Sequence, residues 1–574
     1  MTTTRRRGTA LVTLTATTGL LLGTAALGAG PATSAEPAGD CTAPFPVSEL
    51  AEGDAVTGLT VTRGTTPESF TGEVIGVYED GIGPDLDMVM VEVDMPEVAE
   101  SGIWQGMSGS PVYAADGRLI GAIAYGLSFG PSPVAGVTPF EDMDDYLAEP
   151  AEPPARVPVG KALAGRIAAS TDVTRAQAAQ GLRQLPMPLG ISGVSAGRIA
   201  GTEDRPYFTR GAKAAAGGAT AAVGPETIVP GGNLAASLSY GDVTQAGVGT
   251  VTSVCNGRVV GFGHPMSFEG ETTLSLHPAS ALYVQEDPVG PGFKVANLGA
   301  PTGTISEDHL TGITGFLGAL PRATTISNTA TYDGRTRTGT SKNTVDSAAA
   351  STTFYQIVAN HDRVLDAIMP GSETMSWTIT GTDSDGSSYE LGFEDRYASD
   401  YDITADAGYE LSDLVYALSR IEGVTVDTVT SESVISDDSS SYRVRGVQQQ
   451  RGGEWVPLGK GEVARAKAGT MLDLRAVLAG PEGLSYLPLA IKVPASAAGM
   501  KGRLAVVGGG WTYSGGNITS VAKAEKVVAG MLRNDELQVE LSLSKRRKEI
   551  EKEKVIGPAD RVVFGAKRVR VVVK

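Results

Sequence analysis

The stretch Gly102-Ile103-Trp104-Gln105-Gly106-Met107-Ser108-Gly109-Ser110-Pro111 carries the most information in the chain. Gly106 and Gly109 flank Met107-Ser108, so the backbone there can take tight-turn conformations that a Cβ would oppose. A nucleophilic serine needs such a turn: its hydroxyl must project, and backbone N–H groups must point to where an oxyanion will develop. Here those N–H groups would belong to Gly106 and Ser108. Small residues also fill turns that do no chemistry, so the surroundings have to decide. Directly downstream, Pro111 to Tyr125 reads as a hairpin, because Asp116-Gly117 is a two-residue turn pair between apolar segments.

Upstream, Leu59 to Thr62, Gly72 to Tyr78 and Met88 to Val93 are strand-like runs bounded by Gly, Pro or Asp. Residues 41–148 therefore read as a small serine-bearing β-barrel. A Pro-rich stretch begins at Glu149 with Pro150, Pro153, Pro154 and Pro158, and Ala and Gly dominate to residue 230. We read 149–230 as a linker or flexible insert. Residues 231–370 form a second β half, which includes a hairpin with the type I′ pair Asn256-Gly257. Residues 371–510 suggest a β-sandwich-like module, and 511–574 an α/β extension.

The 574 residues correspond to about three or four domains. Scarce aromatics (6%) beside 74 Gly and 32 Pro suit short strands joined by turns. The net charge of −18 argues against nucleic acid or an anionic membrane as partner. No Cys-x-x-Cys pair, His-Glu-x-x-His or phosphate loop occurs, so no metal or cofactor is expected. Arg5 to Arg7, the apolar run Ala10 to Leu27 and the small residues Thr33-Ser34-Ala35 read as an export signal over residues 1–35, with an uncleaved anchor as the alternative. An extracellular or cell-envelope location follows. Cys41 and Cys255 are the two cysteines, and in an exported chain they can pair as a disulfide; two separate thiols are the other reading.

The G-x-S-G-x-P pattern is that of trypsin-like peptidases, and the likeness extends further. From Val91 to Met143 the chain resembles the SpoIVB peptidase family of bacterial serine endopeptidases. The resemblance rests on Asp94, then Gln105 to Pro111, then Gly117-Arg118-Leu119-Ile120-Gly121-Ala122, then Gly136 to Met143. It implies Ser108 as nucleophile and Asp94 as the acid that orients a histidine. Of four histidines, His264 in Gly261-Phe262-Gly263-His264-Pro265 matches the family's G-x-G-H setting, with Gly303-Thr304-Ile305 and Gly312 to Gly315 as further likenesses. The order departs from the family's, since here the serine half precedes the histidine half. Catalytic triads tolerate any chain order because geometry makes them. Met107 occupies the place where trypsin-like enzymes often carry an aspartate for a newly cut N-terminus, so that activation switch is absent.

The expectation is a mainly β protein: a trypsin-like region of two β-barrel halves followed by C-terminal β-sandwich-like modules. Its activity would be hydrolysis of peptide bonds in a protein or peptide substrate through Ser108, His264 and Asp94. The rival is a non-catalytic or self-processing envelope protein that keeps the scaffold to bind peptide.

Overall fold

Six strands of the N-terminal half close on themselves: β1 (Ala55–Thr60), β2 (Glu68–Gly83), β3 (Leu86–Asp94), β4 (Pro111–Ala114), β5 (Leu119–Leu127) and β6 (Val134–Pro139). They run in the order β4-β1-β2-β3-β6-β5, and β5 pairs back to β4, giving a closed barrel without free edges. The computed structural model describes residues 42–574 except 129, 145–156, 186–188, 203–204, 210–212, 215–222, 288–290, 460 and 512–516. The expected export signal, Cys41 and the prolines at 150, 153 and 154 lie outside the described residues.

The β4–β5 hairpin forms where Asp116-Gly117 predicts it. Gly117 has φ +86°, and the Asp116 carboxylate accepts the Arg118 N–H at 3.0 Å, an Asx-type closure of the turn. All nine residues of β5 and all six of β6 are buried. Both faces of these strands are covered, which is why they read as continuous apolar runs and not as alternation. Ile120 and Ile123 face the barrel core, while Leu119 and Ala122 pack against Phe140, Met143 and Val260. Val260 belongs to the second half, so β5 is the seam between the two.

The second barrel joins Asn233–Gly241, Gly270–Gln285, Gly303–His309, Gly312–Leu317, Arg258–Gly261 and Thr244–Cys255 in that order and closes back onto Asn233–Gly241. Asn256 (φ +50°) and Gly257 (φ +80°) make the type I′ turn that the sequence predicts. Cys255, at its start, is disulfide-bonded. The fold is thus mainly β with two closed six-stranded barrels.

Between the barrels the expected flexible insert is folded over much of its length. Helix Lys161–Ser170 and helix Arg175–Ala178 bury Leu163, Ala164, Ile167 and Ala178 against Ile75, Met88 and Tyr125 of the first barrel. Thr174 caps the second of these helices through a reciprocal bond with Gln177. Leu182–Gln184 adds a strand beside β5. Ala- and Gly-rich composition suggested a loop, but apolar residues at helical spacing inside it found a surface to cover.

Beyond the barrels the boundaries differ from the expected ones. Strands Gly371–Thr382, Ser388–Ser399 and Thr425–Ser436 extend the second barrel's sheet through Thr324–Tyr332 and Arg335–Asn343. Helices Ala349–Leu365 and Ile403–Leu418 pack on these strands. The sandwich runs from Tyr442 to Val573, as two five-stranded sheets around one core. Strands Leu537–Lys545 and Ala566–Val573 alternate more and less buried residues and pair with Lys501–Gly508 on either side, so most of the expected α/β extension belongs to the sandwich. No helix among the described residues is long and apolar enough to cross a membrane.

Candidate active site

The loop bearing Ser108 is anchored from below by Trp104 and Met107, both fully buried in the first barrel's core. Gly106 (φ +95°) and Gly109 (φ +97°) supply the left-handed turns on either side of the serine. Gly109 N–H donates to the Ile123 carbonyl at 2.8 Å, and Ser110 Oγ donates to Thr60 Oγ1 at 2.9 Å. Ser110 is therefore a buried structural hydroxyl, while Ser108 keeps its own for other use.

The second barrel grips this loop from the other side. Thr250 N–H donates to the Ser108 carbonyl at 2.8 Å, and Thr250 Oγ1 to the Gly106 carbonyl at 3.0 Å. Thr252 Oγ1 donates to the Gly109 carbonyl at 2.8 Å. The backbones approach so closely that a Cβ on Gly109 would stand 1.9 Å from the Thr250 carbonyl oxygen. Lys294 N–H donates to the Gln105 carbonyl at 2.8 Å, and its Cβ packs where a Gly106 side chain would be, 2.8 Å from that position. Each such bond contributes about 1 kcal/mol net, and leaving its partner buried and unpaired costs more.

His264 leaves the second barrel on a tight turn. Phe262 (φ +69°) and Gly263 (φ +70°) are both left-handed, and strain at a non-glycine residue beside the candidate site fits a constrained functional turn. Thr138 Oγ1, at the end of β6, donates to the Gly263 carbonyl at 2.6 Å and fastens this turn to the first barrel. The imidazole then meets the serine: His264 Nε2 lies 2.8 Å from Ser108 Oγ. Its Nδ1 lies 2.8 Å from the Pro265 carbonyl oxygen. A carbonyl only accepts, so Nδ1 carries the proton, and Nε2 is left to accept the serine O–H. That is the tautomer a general base requires.

Burial sets the electrostatics. Ser108 and His264 are both 0% exposed. Desolvation pulls the imidazole down to about 4, partly opposed by its bond to the Pro265 carbonyl, so the ring is neutral at pH 7. The N–H groups of Gly106 and Ser108 find no acceptor among the described residues and stand ready for an oxyanion.

The structure does not bring Asp94 to this pair. Asp94 is exposed at the end of β3, opposite Thr71, in a groove it shares with Glu73, Glu92 and Asp172. Val89 is the β3 residue that pairs with Val137, next to Thr138. Asp94 is five residues further along the strand, about 17 Å at ~3.3 Å per residue. The place expected for its carboxylate, at Nδ1, is held by the Pro265 carbonyl. The other histidines sit elsewhere: His277 Nε2 lies 2.8 Å from Ser237 Oγ, His361 Nε2 lies 3.1 Å from Glu373, and His309 is beside Glu307.

Two residues that the sequence did not single out belong to the surroundings. Asp308 is fully buried behind the His264 turn, and Lys294 is buried behind Gly106 with its Nζ donating to Asn233 Oδ1 at 2.9 Å. Desolvation pulls the Lys294 ammonium down to about 7. Neither stands in a motif, and nothing in the sequence separates Asp308 from the other acidic residues at strand ends. Among the described residues no three His, Cys, Asp or Glu side chains gather as a metal site would require.

No family model matches this chain, and no curated protein or solved structure compared with it matches either.

Proposed function

We propose that this protein is an exported serine endopeptidase resembling the SpoIVB family, acting through a Ser108–His264 pair. The observation that carries the reading is the 2.8 Å contact between Ser108 Oγ and His264 Nε2, in the tautomer that accepts the serine proton. In the first step His264 Nε2 takes the Ser108 proton as Oγ bonds to the scissile carbonyl carbon. The oxyanion accepts the Gly106 and Ser108 N–H groups. Collapse breaks the C–N bond, and His264 returns the proton to the departing amine. Water, deprotonated by the same nitrogen, then attacks the acyl-serine ester, and the imidazolium returns that proton to the departing Ser108 Oγ as the new carboxylic acid is released. Throughout, the Pro265 carbonyl holds Nδ1–H, so the imidazolium is stabilised by a peptide dipole in direct contact instead of a carboxylate.

A second reading draws on a specific observation, the complete burial of Ser108 and His264. A peptide can reach them only if the packing over the pair opens, as in enzymes gated by loop or domain movement. A scaffold that cuts only its own chain, or that binds peptide without cutting, would also tolerate such closure. A fluorophosphonate probe separates the readings. An endopeptidase is labelled at Ser108 and the labelling is lost in His264→Ala, while a non-catalytic scaffold is not labelled. Limited self-processing would appear as a truncated product in wild type that is missing from Ser108→Ala.

A further inference from the structure

Asp308 sits on strand Gly303–His309, paired with Gly270 and Ile313, and is 0% exposed. Its Oδ1 accepts the Met266 N–H at 2.7 Å, and its Oδ2 accepts the N–H groups of Ser267 at 2.7 Å and Phe268 at 2.8 Å. These donors follow directly on Pro265. The Met266 N–H and the Pro265 carbonyl belong to one peptide group, and that carbonyl is the one facing His264 Nδ1 at 2.8 Å. A trans peptide directs its N–H and C=O in opposite directions. The chain of contacts is therefore carboxylate, peptide group, imidazole, serine. A negative charge on the N–H side polarises the peptide and strengthens its carbonyl as an acceptor.

We propose that Asp308 is the acidic positioning residue of this site, orienting and polarising His264 through the Pro265–Met266 peptide group. It takes the part that a directly bonded aspartate plays in other serine peptidases, with one peptide unit interposed. The inference rests on the serine peptidase reading for its catalytic consequence, but the relay itself can be observed without turnover. An asparagine at 308 offers one carbonyl oxygen to three N–H donors and carries no charge, so the turn loosens and the Pro265 carbonyl is no longer polarised.

The test is Asp308→Asn in the full-length protein, checked for folding by its thermal midpoint. Two readouts are followed: peptide hydrolysis, and proton NMR of protein labelled with 15N-histidine. The expected results are a loss in kcat on the order of 10²-fold with KM changed less than about 3-fold, and an upfield shift of the His264 Nδ1–H resonance. If Asp308→Asn does not fold, Asp308→Glu is measured in its place; it keeps the charge but moves the carboxylate off the Met266 N–H, and the same results are expected. An unshifted resonance, or a kcat within about 3-fold of wild type, overturns the relay. If the resonance shifts in Asp308→Asn but the wild-type protein never labels with fluorophosphonate, the peptidase reading is defeated and the relay stands.

Discussion

His264 Nε2 and Ser108 Oγ are 2.8 Å apart although they are carried by different barrels. The contact is built from both sides: Thr250 and Thr252 of the second barrel hold the carbonyls of the serine loop, and Thr138 of the first holds the carbonyl of the histidine turn. Each barrel thus fixes the other's functional loop, and the pair exists only when the two are docked.

The closeness of that docking makes Gly109 sensitive. Gly109→Ala would put a methyl group 1.9 Å from the Thr250 carbonyl oxygen at φ +97°. The variant should lose about 3 kcal/mol or more of stability and, where still folded, most fluorophosphonate labelling. Thermal unfolding and labelling of the same samples check this.

The pH dependence follows from the burial of His264. Its folded pKa, about 4, lies below the ordinary value of 6.5. Between these values the unfolded chain binds the extra proton, so this group's contribution to stability is complete above pH 6.5 and is lost as pH falls toward 4. Below that, both states are protonated. In kcat/KM, which reports the free enzyme, the acid limb should fall near pH 4. A limb at 6.5 to 7 would mean that the ring is solvated in the free enzyme.

Lys294 has the same sign at higher pH. Burial lowers its folded pKa to about 7 from 10.5. The unfolded chain holds the proton across that window, so stability should rise with pH from 7 upward, by about 2 kcal/mol by pH 9. In Lys294→Met that rise should be missing. Chemical denaturation of the two proteins at pH 7 and pH 9 gives the comparison.

Asp94 should be dispensable. It is exposed and remote from His264, so Asp94→Asn should change kcat less than about 2-fold. A loss on the order of 10²-fold or more would restore the expected triad and remove Pro265 from the account.

Much of this was legible in the sequence, and the limits are physical. Turns announce themselves locally: Asp116-Gly117 and Asn256-Gly257 need their residue types for backbone reasons, and both form. The G-x-S-G loop and the G-x-G-H turn are read the same way, because glycines mark where backbones approach closely. Asp308 contacts main-chain N–H groups far from it in sequence, and the Pro265 carbonyl is itself main chain, so no side-chain pattern marks either. The resemblance implies Asp94, but Asp94 lies at the end of β3, five residues beyond the Val89–Val137 pair that adjoins Thr138. The sandwich boundary was missed because strands 371–436 and 442–492 share the same alternation, and only pairing partners separate them.

Activation of the Ser108 nucleophile by His264 underlies every step of the proposed hydrolysis. Its most direct measurement is the rate of fluorophosphonate labelling of wild type, Ser108→Ala, His264→Ala and Ser110→Ala, with the modified residue located by mass spectrometry. The expected result is a single adduct on Ser108, labelling abolished in Ser108→Ala and slowed by on the order of 10³-fold or more in His264→Ala, and near-wild-type labelling in Ser110→Ala. Failure of the folded wild-type protein to label, or labelling that is indifferent to His264, would contradict it.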